Sequence, residues 1–244
     1  MKGNALWPAA ALLALGLVGA AWTLGAHAMG VANSRATITV TGSAKKTIRA
    51  DLAVWRGSFN AQSPRIEDAY AELESSARRV RAYLVGKGFA DSALVFSQVQ
   101  TQTQFRRSRE GMELSGGAPE GYRLVQTVEV RSRDVERLER LARESTELIR
   151  QGVRFESYPP EYLVTTLADL KVEMLAAATR DAKARASEMA RNAGSKVGRL
   201  RSARMGVFQV TPANSTMVTD YGINDTSSIE KDITSVVSVS FEIR

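Results

Sequence analysis

Carboxylates, lysines and arginines carry whatever chemistry this sequence can offer. Its 244 residues include no cysteine and a single histidine. That histidine is His27, which sits beside an uncharged amino-terminal stretch, so the folded part has neither residue type. Thiolate nucleophiles, disulfides, histidine or cysteine metal sites and Ser-His-Asp triads are therefore excluded there. Asp220 and "YGIND", residues 221 to 225 with Asp225, place carboxylates in a polar stretch. They could hold a hard cation, or serve a hydrolase or binding protein acting on a small ligand. Their spacing is not that of an EF-hand loop, and a solvated loop accounts for them better. Glu67 with Asp68, and Glu72 with Glu74, could form carboxylate pairs, but they fall on a helical pattern whose charged residues read as solvated surface. "GSAKK" sets Lys45 and Lys46 after a glycine without the spacing of a phosphate loop. The densest basic clusters are "FRRSR", residues 105 to 109, and "RSR", residues 131 to 133. In the first, Arg106, Arg107 and Arg109 are candidates for contact with anionic lipid or an acidic protein. No residue is assigned a catalytic, cofactor-binding or metal-binding role, and the chain reads as a non-enzyme.

The elements that must position these groups follow from composition and pattern. With 44% hydrophobic residues the chain can bury a core. A net charge of +7 favours acidic partners without concentrating in one block. Residues 5 to 25 carry no charge, and 21 residues of helix span roughly 30 Å, about a bilayer core. Two outcomes are open. "AHA" fits signal-peptidase cleavage after Ala28, whereas the length of the apolar run, with Trp7 and Trp22 near its ends, favours an uncleaved anchor. Either places residues 30 to 244 outside the cytoplasmic membrane. Residues 1 to 30 are thus a targeting or anchoring segment, 31 to 36 a linker, and 37 to 244 the folded domain.

Within that domain "TITVTG" alternates as a strand ending at Gly42, and residues 51 to 59 give a second. Ser63 and Pro64 open a helix with an apolar stripe at Ile66, Ala69, Tyr70, Leu73, Ala77, Val80 and Leu84. Strand pattern returns at 93 to 105, with Val95, Val99, Thr101 and Thr103 on one face, and at 122 to 130. A polar loop, 106 to 121, separates the two. Asp134 caps a second helix with a stripe at Val135, Leu138, Leu141, Leu148 and Ile149. Pro159 and Pro160 break an edge strand. A third helix runs from about Leu167 to Ala193. Strand signals at 199 to 211, a second polar loop at 212 to 232, and a closing strand with Ile233, Val237, Val239, Phe241 and Ile243 alternating complete the chain. The order ββαββαβαββ predicts an α/β (α+β) domain, a mixed sheet of long strands with about three helices packed on it and an N-terminal hydrophobic helix ahead.

The third helix, by composition a basic arm, tests nucleic-acid binding. Ala168, Val172, Leu175, Thr179, Ala182, Ala186, Met189 and Ala193 recur at steps of four and three, a single apolar stripe. Its five basic residues (Lys171, Arg180, Lys183, Arg185, Arg191) meet four acidic ones (Asp169, Glu173, Asp181, Glu188), and Asp181 lies four residues before Arg185, the favourable order for an ion pair. A phosphate-gripping helix needs an uncompensated basic face, so nucleic acid is not expected as a partner.

Residues 176 to 200, "AAATRDAKARASEMARNAGSKVGRL", resemble the hallmark stretch of the SIMPL domain family of bacterial exported proteins, through Asp181, Ala182, Arg185, Ala186, Ala190, Gly194 and Gly198. "ITVTGSA" is similar to that family's first strand and glycine turn. Asp51 matches the polar start of its second strand, although Ala50 stands where proline is usual, and "ITSVVSVSFEI" is similar to its closing strand. The resemblance covers roughly residues 36 to 244. It implies a periplasmic or membrane-tethered domain, a link to oxidative-stress defence, and self-association into homo-oligomers; it implies no catalytic residues. The two long loops are expected to carry the partner contacts.

Overall fold

The computed structural model describes residues 36–105 and 119–244. The segment 5–25, the Ala28 cleavage position and Arg106, Arg107 and Arg109 lie outside the described residues. Among the described residues eleven strands and three α-helices follow in order: β1 (Thr37–Arg49), β2 (Leu52–Ser63), α1 (Ile66–Gly86), β3 (Leu94–Phe96), β4 (Gln100–Gln104), β5 (Gly121–Ser132), α2 (Val135–Glu144), β6 (Arg154–Ser157), β7 (Glu161–Leu163), α3 (Leu167–Asn192), β8 (Val197–Met205), β9 (Gln209–Pro212), β10 (Ile223–Asn224) and β11 (Glu230–Ile243). The mixed α+β class expected from the sequence is the one observed. Among the described residues no helix is long and apolar enough to cross a membrane.

The chain divides into two compact units. The larger comprises Lys46–Leu170 and Gln209–Ile233. At its centre β2 pairs antiparallel with β5 along its full length, from Ala53 opposite Ser132 to Ser63 opposite Tyr122. The other edge of β2 takes β6 and β7, which flank Pro159 and Pro160, and the other edge of β5 takes β3 and β4. Proline has no amide hydrogen to give a ladder, so this edge breaks where the prolines fall. Trp55, Phe59 and Ala61 of β2 and Leu124, Val128 and Val130 of β5 bury against Ala69, Leu73, Val80 and Leu84 of α1 and Val135, Leu138 and Leu141 of α2. Asp134 accepts from the Arg137 amide at 3.0 Å, the expected cap of α2.

Four details of the larger unit differ from the pattern reading. The α1 cap position falls at Arg65, and the Ser63 hydroxyl accepts the Arg65 amide at 3.3 Å instead of capping the first turn. Ile66 and Tyr70 are exposed and Ser76 is buried, so the inward stripe is narrower and includes a hydroxyl. In the β3 region Leu94 is buried while Val95 and Val99 are exposed, because the run breaks into two short strands after Phe96 and the inward parity is set by pairing of Leu94 with Val130. Ile149 is also exposed, since α2 gives way to a 3₁₀ turn at Ser145 that shifts its phase.

The smaller unit comprises, within the described residues, the chain up to Lys45, Lys171–Phe208 and Thr234–Arg244. Here β11 pairs antiparallel with β8, from Val237 opposite Met205 to Ile243 opposite Val197, with register shifts around Phe241. β1 lies on the other side of β11, where the Ile243 amide donates to the Ala36 carbonyl at 3.0 Å and Thr39 donates to the Ser240 hydroxyl at 3.2 Å. Val40, Val237, Val239 and Phe241 pack on Ala178, Ala182 and Ala186 of α3.

The alanine ridge is out of phase with the predicted stripe. Its buried members are Met174, Ala178, Ala182, Ala186 and Ala190, a strict i, i+4 row, while Val172 and Met189 are 70% and 56% exposed. Such a row precesses by about 40° per step on a 3.6-residue helix, so the ridge winds along with a twisted sheet instead of running straight. Gly42 explains why the row is alanine. It does not end β1; it lies inside it, and a Cβ there would sit 2.3 Å from the Ala178 carbonyl oxygen and 2.6 Å from the Ala182 Cβ. Glycine in a strand interior marks such a backbone approach. One residue on, the Ser43 amide donates to Asp181 Oδ2 at 2.9 Å, and Arg185 Nε holds the same oxygen at 2.8 Å. The helix closes at Gly194, at φ 71°, with the Ser195 amide returning to the Ala190 carbonyl at 2.8 Å.

This contact makes a prediction. Gly42→Ala should destabilise the protein by at least about 2 kcal/mol, the cost of overpacking a site whose neighbours are backbone and cannot swing away. Urea unfolding of the variant against the parent measures it; a loss below about 0.5 kcal/mol would refute the contact.

Candidate functional site

The loop carboxylates singled out in the sequence are separated in space and do different things. Asp220 is exposed on the β9–β10 connection. Asp225, read from the sequence as a solvated loop residue, is instead inside: its side chain is 8% exposed and meets Lys231, 1% exposed, at 2.8 Å. Lys231 Nζ also donates to the Asp225 carbonyl at 2.7 Å. The carboxylate further accepts the Ser227 amide at 3.0 Å, the Ser227 hydroxyl at 2.7 Å, the Ser228 amide at 3.2 Å and the Ser228 hydroxyl. Burial works against its charge, but Lys231 and the two serines outweigh that and hold the carboxyl well below its ordinary value. With five donors around two oxygens, Asp225 has no lone pair left for a cation or a substrate proton.

Lys231 is the residue the pattern reading missed, because "IEKD" looks like the end of a polar loop. A signal was present. Extending the alternation of Ile233, Val237, Val239 and Phe241 backward by two puts Lys231 on the buried parity. Asp232, its neighbour, is buried too; it accepts from the Thr47 hydroxyl and the Asn214 amide, each at 2.8 Å. Asn214 stands at φ 63°, a left-handed conformation that asparagine tolerates better than most residues. The Asp225 amide donates to the Val210 carbonyl at 2.9 Å, and Gln209 Nε2 donates to the Thr219 carbonyl at 2.6 Å. The loop between β9 and β11 is thus tied at Asn214, Thr219 and Asp225. Between those ties its apolar side chains face water: Met217 is 65% exposed, Val218 76% and Tyr221 97%.

Beside the loop lies a cavity of about 250 Å³ walled by Leu52, Tyr162, Leu163, Leu167 and Val210, with Asp225 and Lys231 among its polar lining. A second depression, of about 230 Å³, is bounded by Lys87, Phe89, Arg137 and Glu144. Two of its cations are engaged: Lys87 with Glu144 at 2.6 Å and Glu147 at 3.3 Å, Arg137 with the Gly88 carbonyl and over the Phe89 ring. The remaining carboxylates named in the sequence do not converge. Glu67 and Asp68 both face Arg65, Glu74 pairs with Arg78, and Glu72 faces Arg154. Arg131 of the second basic cluster is tied to Glu129 at 2.7 Å, and Lys45 and Lys46 lie within β1. Among the described residues no group of three acidic or histidine side chains could hold a metal ion.

A family model described as "SIMPL: Protein of unknown function (DUF541)" matches residues 38–241. A search of the curated proteins finds no match. The matched span takes in both the Gly42–α3 contact and the pinned loop.

The buried pair sets a stability prediction. Asp225→Ala should cost about 3–5 kcal/mol by stranding the Lys231 ammonium, and adding Lys231→Met should recover most of that loss. Because the folded-state value of Asp225 is depressed, its contribution is present above the ordinary 3.8 and is lost as pH falls below it. Unfolding free energy measured from pH 5 downward should therefore decline less steeply in Asp225→Asn than in the parent. Equal slopes, or a double variant no better than the single, would refute this role.

Proposed function

The chain belongs to the SIMPL family, and we propose that it is a non-enzymatic, self-associating protein of the bacterial envelope that contributes to oxidative-stress defence. The segment 5–25 holds it on the periplasmic side of the inner membrane, or releases it there after cleavage behind Ala28. The observation that carries the self-association reading is the pinned loop: three large apolar side chains, Met217, Val218 and Tyr221, are presented to water on a backbone tied at its base. A tip ordered in advance loses little conformational entropy on contact, which is the condition for a binding surface. The saturation of Asp225 supports a role other than hydrolysis at this loop. Nucleic acid is not among the proposed partners, since α3 pairs Arg185 with Asp181 and Arg191 with Glu188. The apolar cavity supports a second reading, binding of a small neutral ligand; a Leu163→Trp variant, which fills it, should abolish any thermal stabilisation a ligand gives.

Sedimentation velocity of the full chain in mild detergent tests the first reading. The parent should sediment as an oligomer, and Met217→Ser/Val218→Ser/Tyr221→Ser should raise the dissociation constant at least tenfold. A parent that is monomeric at every concentration would overturn it. Mass determination of the amino terminus in membrane and soluble fractions decides between anchor and cleavage.

A further inference from the structure

The depression bounded by Lys87, Phe89, Arg137 and Glu144 is also lined by Arg140, and it carries more positive charge than its carboxylates cancel. Each acidic side chain around it is committed to another cation. Glu144 and Glu147 close on Lys87 at 2.6 Å and 3.3 Å, Glu139 closes on Arg143 at 2.7 Å, and Glu136 pairs with Arg49. The Lys87 ammonium chiefly, with smaller help from Arg140, holds the Glu144 carboxyl below its ordinary value, but the direct contact is with Lys87. Arg137 and Arg140 form no ion pair among the described residues, and both are exposed. They stand three residues apart on α2, so they leave the same face with Cβ atoms about 5–6 Å apart. Like charges so placed repel, and no carboxylate bridges them. Arg137 is held in place before any ligand arrives. Its amide donates to the Asp134 cap at 3.0 Å, its guanidinium lies 5.8 Å from the centre of the Phe89 ring, and Nη1 donates to the Gly88 carbonyl at 3.3 Å. Gly88 makes the room: it stands at φ 86°, and a Cβ there would sit 2.9 Å from Arg137 Nη2. With one hydrogen bond to a neutral carbonyl, most of the Arg137 N–H donors remain unused.

Size and charge narrow the occupant. At about 230 Å³ the depression is smaller than pockets for drug-sized molecules, which begin at roughly 300 Å³, so it suits a small group. Two uncancelled guanidinium forks favour an oxyanion that offers an oxygen to each. A phosphate group does so and carries about −1.5 to −2 charges at pH 7, enough to cancel both arginines, whereas a carboxylate cancels one. We infer that this depression is a binding site for a terminal phosphate group, free or on a lipid headgroup, with Arg137 and Arg140 as its ligands. An anion held between them turns their mutual repulsion into two attractions, and the fixed position of Arg137 lowers the entropic cost of binding. The site shares no residue with the 217–221 loop tip or the cavity beside Asp225, so it stands or falls independently of both.

Isothermal titration calorimetry on the full chain in mild detergent, at neutral pH and constant ionic strength set with chloride, tests it. The probes are inorganic phosphate and a short-chain phosphatidic acid, with phosphatidylcholine of the same chain length as the control. At least one phosphate probe should bind saturably, and the control should not. Arg140→Gln should weaken that binding at least tenfold while leaving the circular dichroism spectrum unchanged. Arg140→Lys, which keeps the charge and loses the fork, should give a smaller loss. Arg180→Gln, which removes the same charge from α3, should leave the affinity within about twofold. Equal affinity for the two probes places recognition in the phosphate alone. A phosphatidic acid affinity at least tenfold higher, still lost in Arg140→Gln, assigns the site to a lipid. The inference is overturned if neither probe binds saturably, or if Arg140→Gln binds as the parent does. It is equally overturned if Arg180→Gln loses as much, since the attraction is then net charge alone, or if phosphatidylcholine binds as well as phosphatidic acid and free phosphate does not bind.

Discussion

The smaller unit depends on the distance between Gly42 and the backbone of α3. At the point where the strand crosses the helix there is no room for a side chain on the strand and room only for methyl groups on the helix. This one constraint accounts for the alanines at 178 and 182, and the same i, i+4 row continues through Ala186 and Ala190 while the larger Val172 and Met189 stay exposed. Dispersion between closely packed backbones is what such a contact gains, and it is lost with any widening. Asp181 secures the approach from the side by accepting the Ser43 amide, and Arg185 orients Asp181. The Ser43 bond, with help from Arg185, holds the Asp181 carboxyl below its ordinary value. Asp181, Ala182, Arg185, Ala186 and Ala190 are therefore devices for bringing a helix onto a strand.

In the larger unit a comparable role falls to charge. Asp225 and Lys231 leave water together, and the desolvation of both is offset by their mutual contact and by the serines that complete the carboxylate's coordination. The consequence is positional. The turn from Asp225 to Ser228 is rigid, Asp232 holds Asn214, and the intervening segment is anchored at both ends with its apolar tip outward. A saturated ion pair of this kind makes poor catalytic machinery and good scaffolding.

How much of this the sequence discloses depends on whether the local pattern reports its own burial. β5 and β11 are legible because one face is buried and alternation follows directly, and Asp134 announces the start of α2 by its cap. α3 is legible as a helix, but its phase is not, because a stripe chosen by hydrophobicity favours Val172 and Met189 over alanines, and only the glycine on a distant strand selects the small residues. Gly42 itself looks like a strand end for the same reason. At the candidate site Asp225 is visible as a residue type, yet its partner is hidden: a lysine six residues away reads as solvent-facing unless the alternation of β11 is carried back past Ile233. The two bulges that β8 carries opposite Ser240 to Ile243 of β11 have no signature within its own residues, since pairing is a property of the sheet and not of the strand.

Amide hydrogen exchange at Ser43 and Ala182 in the full chain measures most directly whether the strand–helix contact governs this unit. The two amides belong to elements 139 residues apart but to one contact. The account predicts that they share a single opening free energy, equal to that of global unfolding, because neither element can part from the other without breaking the unit. Exchange of Ser43 at a distinctly lower free energy than Ala182 would mean that β1 opens independently of α3, and would contradict it.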